Sequence, residues 1–499
     1  MKLVTSSVLI APHTQDDRLS PAWAVVAGAL SLVALLACPA HQRLHSVLIS
    51  ALVCVLVQWF LPQARFRKDH YFSPVNLALL LLQAKILIVP LILMTFGYEN
   101  KIMALTATHA STEAAILVDT LAFAAFAAGL QLTAGRPARP GPFSLLPALS
   151  RTPGPEFIFA FAALGLLGLV LTFGSVGRFI EYFSDPAAVV DPQAGAGWGE
   201  FFGTILRPFF AFSLVTWWAR SVDRSRQSAS PWRPILIGLA TIAGITIANS
   251  TFGLNRGAVV FPVLALASVY SARVRRIPPA FTLGAVAVAV PLLLAVGSFR
   301  SNSQLAQYAP ETSREVEISS TELTESILVY AGGPQLTGVF YESIDWGRHL
   351  FGGQTLLSSV MSPIPILGKG FRDTSGPVVY NHAIYGVTGI DDQIPPFTAE
   401  LFANLYVAGV VGGFLALAWL LALFESWIAA VRSTFGAFIV QYIAVWGAML
   451  TVWSLAVYAQ ILFYFLGPVY LYLAVLQFRG ILRRPAVAPM THPLGASAK

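Results

Sequence analysis

Charge is what this sequence has least of. Only 11% of its 499 residues are Asp, Glu, Lys or Arg, against about 25% in an average soluble domain. A chain so poor in charge does not present most of its surface to water. Cysteine is almost absent as well. Cys38 and Cys54 both lie inside apolar runs, which excludes a disulfide framework and reads as two buried thiols. Several motifs are missing too: no Gly-rich phosphate loop of nucleotide enzymes, no His-Glu-x-x-His and no Gly-x-Ser-x-Gly. ATP-driven work and metalloproteolysis therefore have no sequence support. The sequence contains no internal repeat and no low-complexity segment.

Apolar residues make up 56% of the chain, and its mean hydropathy is +0.69. A membrane-spanning helix takes ~20 mostly apolar residues. Twelve stretches meet that need: 21–39, 45–62, 75–97, 114–132, 156–174, 201–219, 234–253, 257–273, 278–298, 399–424, 436–457 and 459–478. The last two form one apolar run, with a tight turn expected near Tyr458-Ala459-Gln460. Internal prolines such as Pro90, Pro262, Pro291 and Pro468 do not disqualify these spans, because neighbouring helices re-satisfy the freed carbonyls. The expectation is an all-α polytopic membrane protein. Its first nine helices fall in 1–298, a large loop in 299–400, three more helices in 401–484, and a disordered tail in 485–499. The N-terminal segment is polar and lacks a small-residue cleavage site, so no signal peptide is removed.

The net charge of +7 reports topology rather than nucleic-acid binding. Short basic loops such as Gln63-Ala64-Arg65-Phe66-Arg67-Lys68 alternate with poorly charged ones. By the positive-inside rule both termini are cytoplasmic, and the loops 175–200 and 299–400 lie outside. The outer loops hold most of the acid, including Glu181, Glu200, Glu315, Glu342, Asp391, Asp392 and Glu400. A connection as long as 299–400 inside a compact protein is functional or disordered. This one carries aromatics, prolines and short amphipathic runs, and therefore reads as folded. Ser320 to Tyr330 has helical spacing, as does Pro334 to Trp346, where Leu336, Val339, Phe340 and Ile344 share a face suited to the bundle or the membrane surface.

Arginines at the outer ends of spans are the first candidates for chemistry. Arg207 lies six residues into a span, Arg256 stands in the polar hairpin Asn249–Gly257, Arg300 follows another span, and Arg178 sits just outside a fourth. Guanidinium binds phosphate bidentately and stays charged. The four suit a lipid-linked diphosphate; snorkelling or pairing with loop carboxylates is the structural alternative. Lys85 is near the middle of its span, where an ionisable group is a functional hypothesis by default. Asp119 on the following span is its natural partner, although counting rises places the two ~9 Å apart in depth and the pair strained. In the loop, His382 within Tyr380-Asn381-His382 is the leading general base, with Tyr380 beside it and His349 a weaker rival. Glu400 is either a second base or an acidic residue near a helix start. Asp391-Asp392 have no third partner for a metal, and neither a metal nor any other cofactor is expected.

Together these features resemble the bacterial O-antigen and exopolysaccharide polymerases of the Wzy type. The resemblance rests on about a dozen spans, Arg256-Gly257 at the head of one, and a large late loop. The loop's exit, Glu400-Leu401-Phe402-Ala403-Asn404-Leu405-Tyr406-Val407-Ala408-Gly409-Val410-Val411-Gly412-Gly413, adds to it, as do Tyr330-Ala331-Gly332-Gly333-Pro334 and Phe351-Gly352-Gly353-Gln354-Thr355. It covers roughly residues 230–425. The resemblance implies a GT-C-like, metal-independent glycosyltransferase of the inner membrane. It would act on undecaprenyl-diphosphate-linked oligosaccharide, with Arg207, Arg256 and Arg300 stabilising the leaving diphosphate and His382, or failing it Glu400, assisting deprotonation. A flippase and a chain-length regulator are the implied partners. The related O-antigen ligases share the architecture and use a loop histidine, so ligase remains an alternative. A transporter without chemistry is another, but it predicts polar residues along a path through the spans and often inverted repeats.

Overall fold

The computed structural model describes residues 19–65, 72–96, 108–134, 146–175, 177, 198–225, 232–249, 256–278, 333–364, 367–386 and 394–482. Among them the only regular structure is helix. The helices are α1 (Leu19–Ala37), α2 (Ser46–Phe60), α3 (Pro74–Phe96), α4 (His109–Thr133), α5 (Pro155–Phe173), α6 (Trp198–Ser225), α7 (Trp232–Asn249) and α8 (Arg256–Arg273). The loop supplies α9 (Pro334–Ser343), α10 (Gln354–Met361) and α11 (Gly376–Tyr385). Then come α12 (Phe397–Ala430), α13 (Thr434–Met449), α14 (Leu455–Phe465) and α15 (Gly467–Leu482).

Five of these, α3, α4, α5, α6 and α12, are long and apolar enough to cross a bilayer. The pair α14–α15, bent by 49°, makes a sixth if it is one span. Helices α1, α2, α7, α8 and α13 contain shorter apolar stretches of 10–17 residues. Large apolar side chains face outward on several of them, among them Leu30, Leu36, Leu52, Phe60, Phe159 and Leu236. Contiguous apolar surface of this kind is tolerated in lipid and not in water. The chain is a helical membrane protein. Each expected stretch coincides with a helix except 278–298, which lies outside the described residues, as does the expected helix at 320–330.

The expected turn near Tyr458-Ala459-Gln460 is not there. Those residues are helical, and the chain turns earlier, between Leu450 and Ser454, where the Ser454 side chain caps α14. A hydroxyl that satisfies the first free amides of a helix is the stronger stop signal. The later break falls at Leu466, just before Gly467-Pro468.

Close approach of backbones sets the bundle. Helices α5 and α6 cross where Gly165 and Gly168 leave no room for a side chain: a Cβ on Gly165 would lie 2.2 Å from the Phe210 amide nitrogen, and one on Gly168 2.6 Å from that of Arg207. Small residues in membrane helices permit this packing, which takes the place of a hydrophobic drive. Gly129 on α4 meets Ala418 and Leu415 on α12 in the same way.

The two ends of the bundle differ in chemistry. At one end, basic and hydroxyl side chains tie helix termini together. Arg220 donates to the Pro153 carbonyl at 2.8 Å, Arg273 donates to the carbonyls of Val431 and Arg432, and Arg65 donates to that of Gln58. Asp223 accepts there from Thr152 and Thr434. Arginine suits helix C-termini, whose last carbonyls lack partners. The other end carries the loop helices. Leu336, Val339, Phe340, Tyr341 and Ile344 of the α9 segment join the same core as the spans, so its apolar face lies on the bundle, against α4. Gly338 of α9 packs directly on Ser111 of α4. The expected helix 334–346 stops at Ser343, because Asp345 and Trp346 both take positive φ.

Candidate functional site

The first two turns of α12 are where the loop and the membrane helices meet. Thr398, Glu400 and Asn404 are all buried, Glu400 and Asn404 one turn apart on the same face. Each binds a different neighbour.

Thr398 completes a buried ion pair. Lys85 Nζ lies 2.7 Å from Asp119 Oδ1 and donates to Thr398 Oγ1 at 2.8 Å. The two charged side chains are 0% and 1% exposed. The depth offset expected from the sequence does not hold the pair apart. Lys85 sits in a turn of π-helix, Ala84–Ile88, immediately before Pro90. Proline at 90 removes the amide that would bond the Ile86 carbonyl and crowds that turn. The widened turn accommodates the ring and re-aims Lys85. One added residue shifts depth by only about 1.5 Å, so the long, flexible Lys85 side chain spans the rest of the offset.

Glu400 joins four elements. Its Oε1 accepts from the hydroxyls of Ser359 (3.1 Å) and Ser454 (3.2 Å), and its Oε2 accepts the Leu455 amide at 2.7 Å. Ser359 also accepts the Gly376 amide at 3.0 Å. The carboxylate thus sits at the N-terminus of α14 and against that of α11, where partial positive charge favours it. Gly376 is required by this contact, since a Cβ there would stand 2.0 Å from Glu400 Oε1. At 2% exposure and with three donors, Glu400 is held as a tether between α10, α11, α12 and α14. Asn404 finishes the segment, donating to Thr355 of α10 at 2.6 Å and to the Glu400 carbonyl at 2.7 Å.

Beyond Asn404 the helix breaks. Tyr406 has φ 57° and ψ −152°, a conformation close to glycine-only territory. The break takes Ala403's carbonyl out of the helical ladder, and it accepts the Phe351 amide instead, at 3.0 Å. Only three described residues other than glycine have positive φ: Asp345, Trp346 and Tyr406. All three converge. A Cβ on Gly347 would touch the Tyr406 ring at 2.6 Å; Trp346 lies 5.9 Å from Tyr341, Tyr341 4.3 Å from Phe402, and Phe402 4.9 Å from Tyr406. Strained backbone persists only where its surroundings over-determine it, and it clusters at functional sites. The ledge keeps Trp346 and Tyr406 partly exposed, at 37% and 46%.

Beneath this ledge, buried polar atoms lack a partner among the described residues: the Tyr341 hydroxyl, both amide atoms of Gln335, and Asn404 Oδ1. Burial, with Asp119 and Tyr380 nearby, pushes the Tyr341 phenol well above its ordinary range, so it stays protonated. Each such group left unsatisfied costs about 1–3 kcal/mol. These groups are concentrated where α4, α9, α10 and α12 meet, the one polar patch of this interior with so many donors and acceptors open among the described residues.

The structure places the expected site residues unequally. His382 is in the last turn of α11, exposed. Tyr380, two residues earlier in the same helix, is buried with its ring centroid 5.1 Å from that of Phe340, and is a packing residue between α9 and α11. His349 is exposed beside the ledge. Arg207 is buried at the α5–α6 crossing, one residue before Pro208. An apolar crevice begins at Pro208 and runs past Phe212, Ile245, Pro262, Tyr442 and Phe465. Arg256 is the first residue of α8, and its side chain lies outside the described residues. So do Arg178, Arg300, Asp391 and Asp392. Sequence reasoning missed Thr398, Ser359, Ser454, Trp346 and Tyr406. Their roles come from distant partners; Asp345 and Gly347 flank the strained turn at 346, but no glycine sits at 406 to announce the break there. Comparison with known protein families, with curated proteins and with solved structures finds no match to this chain.

Proposed function

We propose that this chain is a membrane glycosyltransferase that polymerises oligosaccharide repeat units carried on undecaprenyl diphosphate, in the manner of the Wzy-type polymerases it resembles. The reading takes it as a protein of the bacterial inner membrane with about twelve spans, a GT-C-like layout and both termini in the cytoplasm. The observation that carries it is the platform at the loop end of the bundle. Loop helices α10 and α11 are fastened to α12 by Glu400 and Asn404, α9 packs on α4 through Gly338, and the Thr398–Lys85–Asp119 cluster ties α12 to α3 and α4. Above, these helices present an exposed histidine and an aromatic ledge. A substrate with a lipid tail and a polar head needs such a stage, rigid and set at the boundary between lipid and water.

In this reading the acceptor sugar hydroxyl attacks the anomeric carbon of the donor. The bond to the diphosphate oxygen breaks, and undecaprenyl diphosphate leaves. His382 accepts the hydroxyl proton. Arg207, Arg256 and Arg300 offset the charge developing on the diphosphate. Trp346 and Tyr406 offer faces on which sugar rings stack. The apolar faces of the spans hold the isoprenoid chain. Glu400 fastens the platform and is the alternative base should His382 not serve.

Deletion of the gene in its host tests this reading. Loss of high-molecular-weight polysaccharide, with accumulation of single lipid-linked repeats, is the expected phenotype, and complementation with Arg256→Ala leaves it uncorrected. Full-length polymer that stays on its lipid carrier points instead to the ligase. Unchanged polysaccharide refutes both.

A further inference from the structure

A second constellation lies at the loop end, away from α12. His45 stands at the start of α2; His109 and Glu113 are one turn apart on α4. One carboxylate oxygen faces both rings: Glu113 Oε1 is 3.4 Å from His45 Nδ1 and 3.5 Å from His109 Nε2. One ligand atom from each residue falls within 4.8 Å of the others. We propose that these three side chains form a binding site for a zinc-type divalent cation, which staples α2 to α4.

The distances favour a shared metal over direct pairing. Strong N–H···O bonds span about 2.7–3.2 Å, and both contacts are longer. Two ligands on a tetrahedral zinc, with bonds of about 2.0–2.2 Å, are separated by roughly 3.3–3.5 Å along the tetrahedron edge. Both N···O separations match that edge. The third, between the two imidazoles, closes by a small rotation of exposed side chains. Ligand type narrows the cation. Two imidazoles and one carboxylate suit zinc, cobalt or nickel; calcium and magnesium prefer oxygen throughout. The supporting bond is present too, since the His45 amide donates to Glu113 Oε1 at 2.5 Å and fixes the carboxylate. Water completes the coordination on the exposed side.

The site has a structural consequence. Thr108, immediately before His109, donates to Glu342 of the loop helix α9 at 2.5 Å. A metal that fixes the start of α4 against α2 also stiffens the edge on which the platform rests. This role stands apart from the glycosyl-transfer reading and survives its failure.

The test is thermal unfolding of the full chain in detergent, its affinity tag removed, titrated with zinc chloride. Magnesium chloride serves as control, and a cobalt titration is read by visible absorption. Zinc is expected to raise the melting temperature of the wild type by several degrees, saturably, with magnesium without effect. Cobalt is expected to give the intense visible bands of a four-coordinate site. His109→Gln and His45→Gln, both at exposed positions, melt like the wild type without metal and lose both responses. An equal zinc shift in either variant, or no shift in the wild type, overturns the proposal.

Discussion

Lys85 and Asp119 carry the heaviest electrostatic burden of any described pair. A buried pair is weak evidence for stability, but removing one partner strands the other charge at a cost of about 3–5 kcal/mol. Lys85→Met and Asp119→Leu, made singly, should each cost about that much, measured by thermal unfolding in detergent. The double variant should recover most of the loss, because both charges leave together. Additive losses would show that the two do not act as a pair. His382 is the opposite case. It is exposed, so His382→Ala should leave stability within about 0.5 kcal/mol of the wild type while polymer formation in a complemented deletion strain falls to background. A variant that melts normally and restores full polymer would remove His382 from the mechanism. These side chains were visible in the sequence as outliers, an ionisable group in an apolar run and a histidine in a polar loop. Their partners were not. Glu400 meets Ser359 and Ser454 across 41 and 54 residues, and no local pattern encodes such a meeting. Nor does the sequence announce the π-turn at Ala84–Ile88 that carries Lys85, since Pro208 and Pro262 sit in unbroken α-helix.

At the scale of elements, α12 is one apolar run in sequence and two helices in space, joined at Tyr406. Hydropathy cannot register that break, because a Tyr at φ 57° reads like any other aromatic in a span. The break can be tested through an inverted preference. Inside a helix Ala is better than Gly by about 1 kcal/mol. At 406 the order should reverse, because Gly relieves a strain of about 1–3 kcal/mol that Ala retains. Tyr406→Gly should therefore melt above Tyr406→Ala, and both should lose polymerisation with the ledge. Ala above Gly would mean that α12 is continuous. The other elements were legible for a plain reason: a run of about twenty apolar residues has few alternatives to a spanning helix. Loop helix α9 was legible from its apolar face, though the sequence left open whether that face met lipid or protein. Packing of Gly338 on Ser111 settles it in favour of the bundle.

At the scale of the molecule, an apolar bundle carries the loop platform at one end and an arginine-rich rim at the other. The arginine-rich end holds Arg65, Arg220 and Arg273 among helix termini, and in the proposed topology it faces the cytoplasm. Cys38 and Cys54 are buried, so a background lacking both gives clean single-cysteine reporters. His382→Cys should react with a membrane-impermeant maleimide added to spheroplasts, and Arg224→Cys only after lysis. The reverse pattern would invert the topology and place the platform in the cytoplasm. The most direct measurement of the central claim is elongation by purified protein in lipid nanodiscs, supplied with the host's own undecaprenyl-diphosphate-linked repeat unit and read as a product ladder on a gel. The account predicts a ladder from the wild type and none from folded Arg207→Gln or His382→Ala. A wild type that leaves confirmed substrate as single repeats, or variants that extend it at the wild-type rate, would contradict it.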